Sequence, residues 1–244
     1  MAYRSTIGLG FGFGMTPAVK KIILINVGVF VFQVLAQAAG YGDVLRLLML
    51  TPYSVLHSFT LWQLATYLFL HGGFFHILFN MVTLWMFGCD LERTWGPRRF
   101  LFYYFLTGIG AGLTVVLVSP NSLIATLGAS GAIYGVLLAF GLLFPDRPIL
   151  LWFVIPIPAK YFVMIMGGIA FLASVSGSGG GISHVAHLGG LVFGFLYLRG
   201  RPYYFDFRNR YYRWRRLRLQ RKFRVYMNER DREEQRNRPD RWIN

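Results

Sequence analysis

The residues of this chain that could do chemistry lie in three short stretches, and the first contains a serine between small residues. Gly128-Ala129-Ser130-Gly131 leaves the Ser130 hydroxyl uncrowded at the start of an apolar segment. If a helix begins there, unpaired backbone N–H groups and the positive end of the helix dipole favour a developing oxyanion beside the serine. The tetrapeptide alone indicates helix packing more readily than catalysis, because serine and small residues also line transmembrane helix contacts.

The second stretch offers a base for this serine. His184 and His187 are one turn apart, and Gly190 and Gly194 follow on the helical face of His187. A histidine in a transmembrane helix is costly and usually faces the protein interior. Serine is a weak nucleophile, and an adjacent imidazole supplies the activation that it needs. Ser130 and His187 together therefore predict nucleophilic catalysis.

Close packing of two helices would bring the hydroxyl of Ser130 within hydrogen-bond reach of His187. Glycines four residues apart on each of two helices permit such close backbone approach. The chain has two such pairs, Gly131 with Gly135 and Gly190 with Gly194. Tyr134 lies one turn after Ser130, where its ring could hold the imidazole in place. A packing or interfacial role is equally compatible with this tyrosine.

The third stretch is His71-Gly-Gly-Phe-Phe-His76-Ile-Leu-Phe-Asn80. His76 and Asn80 are four residues apart and share a helical face. Two polar donors at this spacing could bind the oxyanion of a tetrahedral intermediate. Histidine pairs at this spacing often bind metal, but asparagine is a poor ligand and no third ligand is expected at the same depth. We therefore predict neither a metal site nor a cofactor.

The positions of the acidic residues distinguish between a Ser–His dyad and the other protease mechanisms. Outside the C-terminal tail they are Asp43, Asp90, Glu92 and Asp146, and none is expected near Ser130. Without a buried carboxylate to orient the histidine, a Ser–His dyad is favoured over a Ser–His–Asp triad. An intramembrane aspartyl protease needs two carboxylates at membrane depth, and the common zinc proteases need an HExxH helix. The sequence favours neither class.

The composition indicates that these stretches belong to a membrane domain. Of the 244 residues, 55% are hydrophobic and 14% are charged, whereas soluble domains have about 25% charged residues. The net charge of +15 is concentrated near the C-terminus, so it gives no argument for nucleic-acid binding. We expect a cytoplasmic N-terminal segment at 1–19, a membrane protease domain at 20–199 and an Arg-rich cytoplasmic tail at 200–244. The single Cys89 excludes an intrachain disulfide.

The apolar segments predict an all-α, polytopic membrane protein with six transmembrane helices. The candidates are residues 20–40, 74–90, 100–118, 130–144, 159–175 and 184–199. Basic residues are concentrated before the first span, after the sixth and in alternate loops between, which places both termini in the cytoplasm. The second, fourth and sixth spans then enter the membrane from the outer face. Their first residues, which include His76, Ser130 and His187, would share one depth.

Together and in this order, these motifs resemble the rhomboid family over residues 20–199. The matching stretches are WQLATYLFLHGGFFHILFNM (62–81), LERTWG (91–96), GASGAIYG (128–135) and AHLGGLVFG (186–194). The resemblance implies a six-helix bundle around a water-filled cavity. It also implies a serine protease whose substrates are transmembrane segments of other membrane proteins. We expect the protein in a bacterial plasma (inner) membrane.

The resemblance also assigns roles to individual residues. The nucleophile of the family falls on Ser130 and its general base on His187, whereas His184 does not align with the catalytic position. The oxyanion contacts fall on His76, Asn80 and the backbone N–H of Ser130.

Further positions carry implied supporting roles. Tyr134 falls on the aromatic residue that stacks on the base. Glu92 and Arg93 resemble a structural charged pair in the first loop, where they would hydrogen-bond loop backbone. The glycine-rich loop 174–182 is either a movable cap over the site or a plain connector. The tail either adheres to anionic lipid or is a solvated basic flank.

Two competing functions make different predictions. A non-proteolytic rhomboid-like protein that binds membrane clients would lack the nucleophile or the base, and both are present here. A transporter or channel would carry polar residues through the full membrane thickness, whereas here they cluster near one face.

Overall fold

The computed structural model describes residues 14–151, 155–175 and 181–200, and this part of the chain is mostly helical, as the sequence predicts. The elements are α1 (Pro17–Ala38), α2 (Gly42–Arg46), α3 (Pro52–His57), α4 (Gln63–Thr66) continued by a 3₁₀ turn (Tyr67–Phe69), α5 (Phe74–Thr83) continued by a π-helical segment (Leu84–Gly88), α6 (Cys89–Trp95), α7 (Pro97–Val118), α8 (Ser130–Leu143), β1 (Pro148–Leu151), β2 (Ile155–Pro158), α9 (Ala159–Val175) and α10 (Gly181–Arg199). The predicted Arg-rich tail and most of the 174–182 loop lie outside the described residues, so their roles stay predictions.

The chain divides into two units, Met1–Leu198 and Arg199–Asn244. The first unit contains every element named above, except that Arg199, the last residue of α10, is assigned to the second unit. The three-part division at 1–19, 20–199 and 200–244 remains a prediction.

Three helical stretches of the described chain are long and apolar enough to cross a membrane. They are Pro17–Ala38, Phe74–Trp95 and Pro97–Val118. The helices α8 and α9 are also apolar but shorter, at 14 and 17 residues. The predicted spans coincide with α1, the α5–α6 stretch, α7, α8, α9 and α10, and each predicted start lies within three residues of the observed one. A count of six spans stays a prediction.

Glycine and proline set the boundary between α6 and α7. Gly96 has φ +81°, a left-handed conformation that other residues rarely adopt, and it ends α6. Pro97 follows as the first residue of α7, where its missing N–H leaves no hydrogen bond unmade. The α5–α6 stretch therefore ends by turning directly into α7.

The connection between α8 and α9 is a short antiparallel hairpin of β1 and β2. Its register pairs Pro148 with Pro158 and Leu151 with Ile155. Four prolines between residues 145 and 158 are incompatible with a continuous helix, as the sequence indicates. Prolines are tolerated in an isolated two-stranded ribbon, because both of its strands are edge strands.

The helix α7 packs along α8. The hydroxyl of Tyr103 donates to the carbonyl of Gly135 at 2.7 Å, and that of Tyr67 donates to the carbonyl of Gly108 at 2.7 Å. Both tyrosines are fully buried. These hydrogen bonds satisfy polar groups that would be costly to leave unpaired in an apolar interior. They join α8, which begins with Ser130, to α7, and α7 to the 3₁₀ turn that follows α4.

Candidate functional site

Ser130 is the first residue of α8, and the backbone before it is held in an unusual conformation. Gly128 has φ +123°, and its N–H donates to the carbonyl of Tyr67 at 2.9 Å. A Cβ atom on Gly128 would lie 2.8 Å from Nε2 of His76. Only glycine therefore fits here, and the ring of His76 lies directly beside the start of α8.

Nε2 of His187 lies 2.8 Å from Oγ of Ser130, a normal hydrogen-bond distance. The ring of Tyr134 stacks on the imidazole of His187, with 4.2 Å between centroids and an interplanar angle of 7°. Nδ1 of His187 is buried without a hydrogen-bond partner among the described residues. The ring is thus held by stacking and by the serine rather than by a carboxylate. The ring of His184 lies edge-on at 5.8 Å between centroids.

The glycine pairs bring α8 and α10 into backbone contact. A Cβ atom on Gly190 would overlap the carbonyl oxygen of Gly131. A Cβ atom on Gly194 would lie 3.5 Å from Cα of Gly135 and 2.6 Å from the hydroxyl oxygen of Tyr103. The predicted pairs therefore face each other, and this close approach is what places the imidazole of α10 against the hydroxyl of α8.

The hydrogen bonds of His76 identify which of its ring nitrogens carries the proton. The backbone N–H of Gly72 donates to Nδ1 of His76 at 3.2 Å. A neutral imidazole that accepts at Nδ1 carries its proton on Nε2. Nε2 is the atom nearest to the Gly128 position, so its N–H points toward the start of α8.

Asn80 lies one turn after His76 on the same face of α5. It is buried, and its Nδ2 has no hydrogen-bond partner among the described residues. A buried amide donor without a partner is uncommon and calls for an explanation. An oxygen atom bound between α5 and α8 would supply the missing acceptor.

Gln33, a residue that the sequence did not single out, holds the segment before α5. Gln33 of α1 is buried, and its Nε2 donates to the carbonyl of His71 at 2.7 Å. Its Oε1 accepts from the backbone N–H of His71 at 3.1 Å. Burial, together with the neighbouring imidazole of His76, lowers the pKa of His71 to about 4, so His71 is neutral. Amide side chains are uncommon in an apolar span, but α1 carries three of them (Asn26, Gln33 and Gln37), so the sequence alone does not single out Gln33.

Glu92 and Arg93 lie in helix α6 rather than in a loop, because the α5–α6 stretch continues as far as Gly96. The buried carboxylate of Glu92 accepts hydrogen bonds from the start of α1. Its donors are the hydroxyl of Thr16, the N–H of Ala18 at 2.9 Å and the N–H of Val19 at 2.9 Å. Arg93 donates to the carbonyl of Gly14 at 2.6 Å and forms an ion pair with Asp90 at 3.0 Å. The pair therefore fixes the N-terminus of α1.

The other acidic residues form ion pairs away from Ser130. Asp90 also pairs with Arg147 at 2.8 Å, and Asp146 pairs with Lys160 at 2.8 Å. Within residues 14–151, 155–175 and 181–200, no three histidine, cysteine or acidic side chains are grouped as a metal site would require.

Comparison with known proteins gives one family. A family model described as "Rhomboid domain" matches residues 58–201. Rhomboid protease GlpG of Haemophilus influenzae is 31% identical over 179 residues, which cover 72% of this chain and 88% of that protein. Rhomboid protein 1, mitochondrial, of Saccharomyces cerevisiae is 37% identical over 139 residues, covering 53% of this chain and 38% of that protein.

Rhomboid protease GluP of Bacillus subtilis is 36% identical over 135 residues, covering 55% of this chain and 25% of that protein. The chain thus spans well under two thirds of the yeast protein and of GluP, but most of the Haemophilus protein.

Proposed function

The chain belongs to the rhomboid family and is an integral membrane protein, and from this we propose that it is an intramembrane serine endopeptidase. It cleaves transmembrane segments of other membrane proteins near the outer face, through a dyad of Ser130 and His187. The observation that carries the proposal is the 2.8 Å contact between Oγ of Ser130 and Nε2 of His187. A hydroxyl beside an imidazole is the arrangement that activates a serine nucleophile.

The reaction begins when Oγ of Ser130 attacks the carbonyl carbon of the scissile peptide bond. Nε2 of His187 takes the hydroxyl proton as the new C–O bond forms, and the carbonyl oxygen becomes an oxyanion. The protonated imidazole then donates its proton to the leaving amine as the C–N bond breaks. The acyl group stays on Ser130 until a water molecule, deprotonated by His187, attacks its carbonyl carbon. The C–Oγ bond then breaks, the protonated imidazole returns its proton to Oγ of Ser130, and the new carboxyl terminus is released.

Three donors are available for the oxyanion. They are the N–H of Nε2 in His76, the Nδ2 amide of Asn80 and the backbone N–H of Ser130 at the start of α8. The unpaired state of the Asn80 amide and the proton position on His76 support this role. Such preorganised donors act where negative charge develops in the transition state, and one of them typically contributes about 10²–10³ in kcat.

The orientation of His187 does not rely on a carboxylate in this proposal. Stacking on Tyr134 and the tight packing of α10 on α8 hold the ring. These contacts favour a dyad over a triad. They also explain why glycine stands at 190, where a Cβ atom would overlap the carbonyl oxygen of Gly131 and push the base away from the nucleophile.

The proposed arrangement in the membrane has six spans, formed by α1, the α5–α6 stretch, α7, α8, α9 and α10. Both termini are cytoplasmic, since basic residues lie in the first turns of α1, on both sides of the α6–α7 junction and after α10. The starts of α5, α8 and α10 then lie near the outer face. Water must reach the site for hydrolysis, so the polar groups there line a cavity rather than contact lipid. The plasma (inner) membrane of a bacterium is the proposed location.

A non-proteolytic, client-binding role is the alternative, and nothing in the site favours it. A protein that only binds clients has no need of a serine within hydrogen-bond distance of a histidine. The presence of both groups in contact therefore favours catalysis.

The test is cleavage of a single-span membrane protein by the purified chain in liposomes. We expect cleavage by the wild type and none detectable for Ser130→Ala or His187→Ala. His184→Ala is the matched control, because it removes a neighbouring histidine of the same helix, and it should retain most activity. Equal cleavage by Ser130→Ala and wild type would refute the assignment.

A further inference from the structure

The amide of Gln33 makes an uncommon pair of contacts for a residue in the middle of an apolar helix. Both ends of the amide bond the backbone of a single residue, His71, at 2.7 and 3.1 Å. Gln33 and His71 are both buried, and they are 38 positions apart in the sequence. The contact therefore joins α1 to the segment that leads into α5. Two hydrogen bonds from one amide fix the orientation as well as the position of the His71 backbone.

His71 contacts the proposed oxyanion donor, His76, through its neighbour Gly72 and through its own ring. His71 is followed by Gly72, whose N–H donates to Nδ1 of His76. The rings of His71 and His76 also lie edge to face, with 5.1 Å between centroids. Fixing the peptide planes around His71 thus fixes the direction of the Gly72 N–H. That N–H in turn keeps the proton of His76 on Nε2, the atom next to the start of α8.

We propose that Gln33 is a positioning residue for catalysis: through the backbone of His71 and Gly72, it holds His76 in the tautomer and orientation that donate to the oxyanion. This role rests on the proposed function. Gln33 does not touch the reacting atoms, and its effect is transmitted by the two backbone hydrogen bonds. The position needs a side chain whose end offers both a donor and an acceptor, and a carboxamide does so at every pH.

The replacement of Gln33 by glutamate separates this role from simple packing. A protonated carboxyl has the shape of the amide, and its O–H can donate to the carbonyl of His71 while its other oxygen accepts from the N–H. An ionised carboxylate only accepts, and it repels the carbonyl oxygen. Activity of Gln33→Glu relative to wild type should therefore be highest at low pH and fall as the pH rises.

The first experiment measures kcat and KM of wild type, Gln33→Glu and Gln33→Leu between about pH 5 and about pH 8, a range in which buried carboxyls titrate. Dividing by the wild-type value at each pH removes any pH dependence that the variant shares with the wild type. We expect Gln33→Leu to lose about 10-fold to about 100-fold in kcat at every pH with KM little changed, since it loosens one oxyanion donor. The ratio for Gln33→Glu should approach wild type at the acid end.

Asn26→Leu is the matched control. Asn26 lies two turns before Gln33 on the same face of α1 and is also buried, but its Nδ2 bonds only the carbonyl of Ile22 in its own helix. It should keep kcat within about twofold of wild type, because substitutions that leave the site geometry intact remove no transition-state interaction.

The second experiment reads the tautomer of His76 without using activity. In ¹⁵N-histidine spectra of the protein in micelles, assigned with His76→Ala, wild type should show a protonated Nε2 and an unprotonated Nδ1. Gln33→Leu should show a mixture of tautomers at His76, and Asn26→Leu should match wild type. This measurement distinguishes positioning from a general loss of stability, which would not change one ring selectively.

The outcomes separate the two proposals. If the wild type cleaves but the Gln33→Glu ratio does not change with pH, or His76 keeps one tautomer in Gln33→Leu, then the positioning role is wrong and the protease assignment stands. If the wild type cleaves nothing, both fall. A Gln33→Glu ratio that rises with pH would also overturn the positioning role, because it would mean that donation to His71 is not needed.

Discussion

Two polar clusters, one buried and one partly buried, lie toward opposite ends of the α5–α6 stretch, and they differ in how fully their hydrogen bonds are made. The Glu92 cluster consists of Glu92 with Thr16, Ala18 and Val19, and the carboxylate receives three donors. The Ser130 cluster consists of Ser130, His187, Tyr134, His76 and Asn80, and both Nδ2 of Asn80 and Nδ1 of His187 lack partners within the described chain. The 16 residues from His76 to Glu92 place the clusters about 24 Å apart along the helix.

The difference indicates what each cluster is for. A buried polar group that is fully hydrogen-bonded adds rigidity, whereas an unpaired buried donor costs about 1–3 kcal/mol. The Glu92 cluster therefore holds the start of α1 rigidly against α6. The Ser130 cluster retains unpaired groups at a cost in stability, which is expected where a transient charge must be bound. Substitutions in the two clusters should accordingly separate into losses of stability and losses of activity.

The largest effect on activity among supporting residues is expected at Asn80. Asn80→Ala should lower kcat by about 10²–10³ with little change in KM, because one oxyanion donor is removed. Asn80→Leu should lose as much activity without lowering the unfolding temperature, since it removes an unpaired buried donor. Steady-state kinetics and thermal unfolding in the same detergent measure both. A marked fall in stability with activity retained would reverse the roles of the clusters.

The next effect is expected where α10 meets α8. Gly190→Ala puts a Cβ into the carbonyl oxygen of Gly131, so the helices must separate and carry His187 away from Ser130. A displacement of this kind should cost about 100-fold in kcat/KM. Gly168→Ala in α9 is the matched control, because open space surrounds that position. Equal activity of the two variants would show that close glycine packing is not needed.

Glu92→Gln tests the other cluster. The amide cannot accept from all three donors, so one buried donor loses its partner and the free energy of unfolding should fall by about 1–3 kcal/mol. The folded protein should keep its wild-type kcat. Denaturation followed by helical circular dichroism, with Asp43→Asn as an exposed acidic control, measures the change. Unchanged stability together with lost activity would mean that Glu92 belongs to the catalytic apparatus.

The smallest free-energy change among these variants is expected at Tyr134. Loss of stacking on His187 in Tyr134→Ala should lower kcat by up to about tenfold, in line with about 0.5–1.5 kcal/mol for an aromatic pair. Tyr134→Phe keeps the ring and should retain nearly full activity. If both variants lose the same activity, the hydroxyl rather than the stacked ring is important.

Much of the helical frame could be read from the sequence, because membrane helices are long apolar segments with recognisable ends. The starts of α5, α8 and α9 coincide with the predicted ones, and histidine, serine and glycine at fixed helical spacings indicated which faces meet. These signals are local. A helical period shows which side chains share a face, so Ser130 and His187 could be paired from two short motifs.

The contacts that the sequence did not predict join distant segments through backbone groups. Gln33 bonds the main chain of His71, and Glu92 bonds the main chain of α1. Every residue has the same backbone donor and acceptor, so neither partner carries a signature in its side chain. The pairing of β1 with β2 was not predicted for the same reason, although the four prolines correctly indicated an interruption of the helix.

The most direct test of the central claim is covalent labelling of the serine. A fluorophosphonate reacts with a serine hydroxyl that a neighbouring base activates. With the purified wild-type protein in detergent, we predict a single adduct, located on Ser130 by peptide mass spectrometry, and none with His187→Ala. Labelling of another serine, or equal labelling of Ser130 when His187 is absent, would contradict the account.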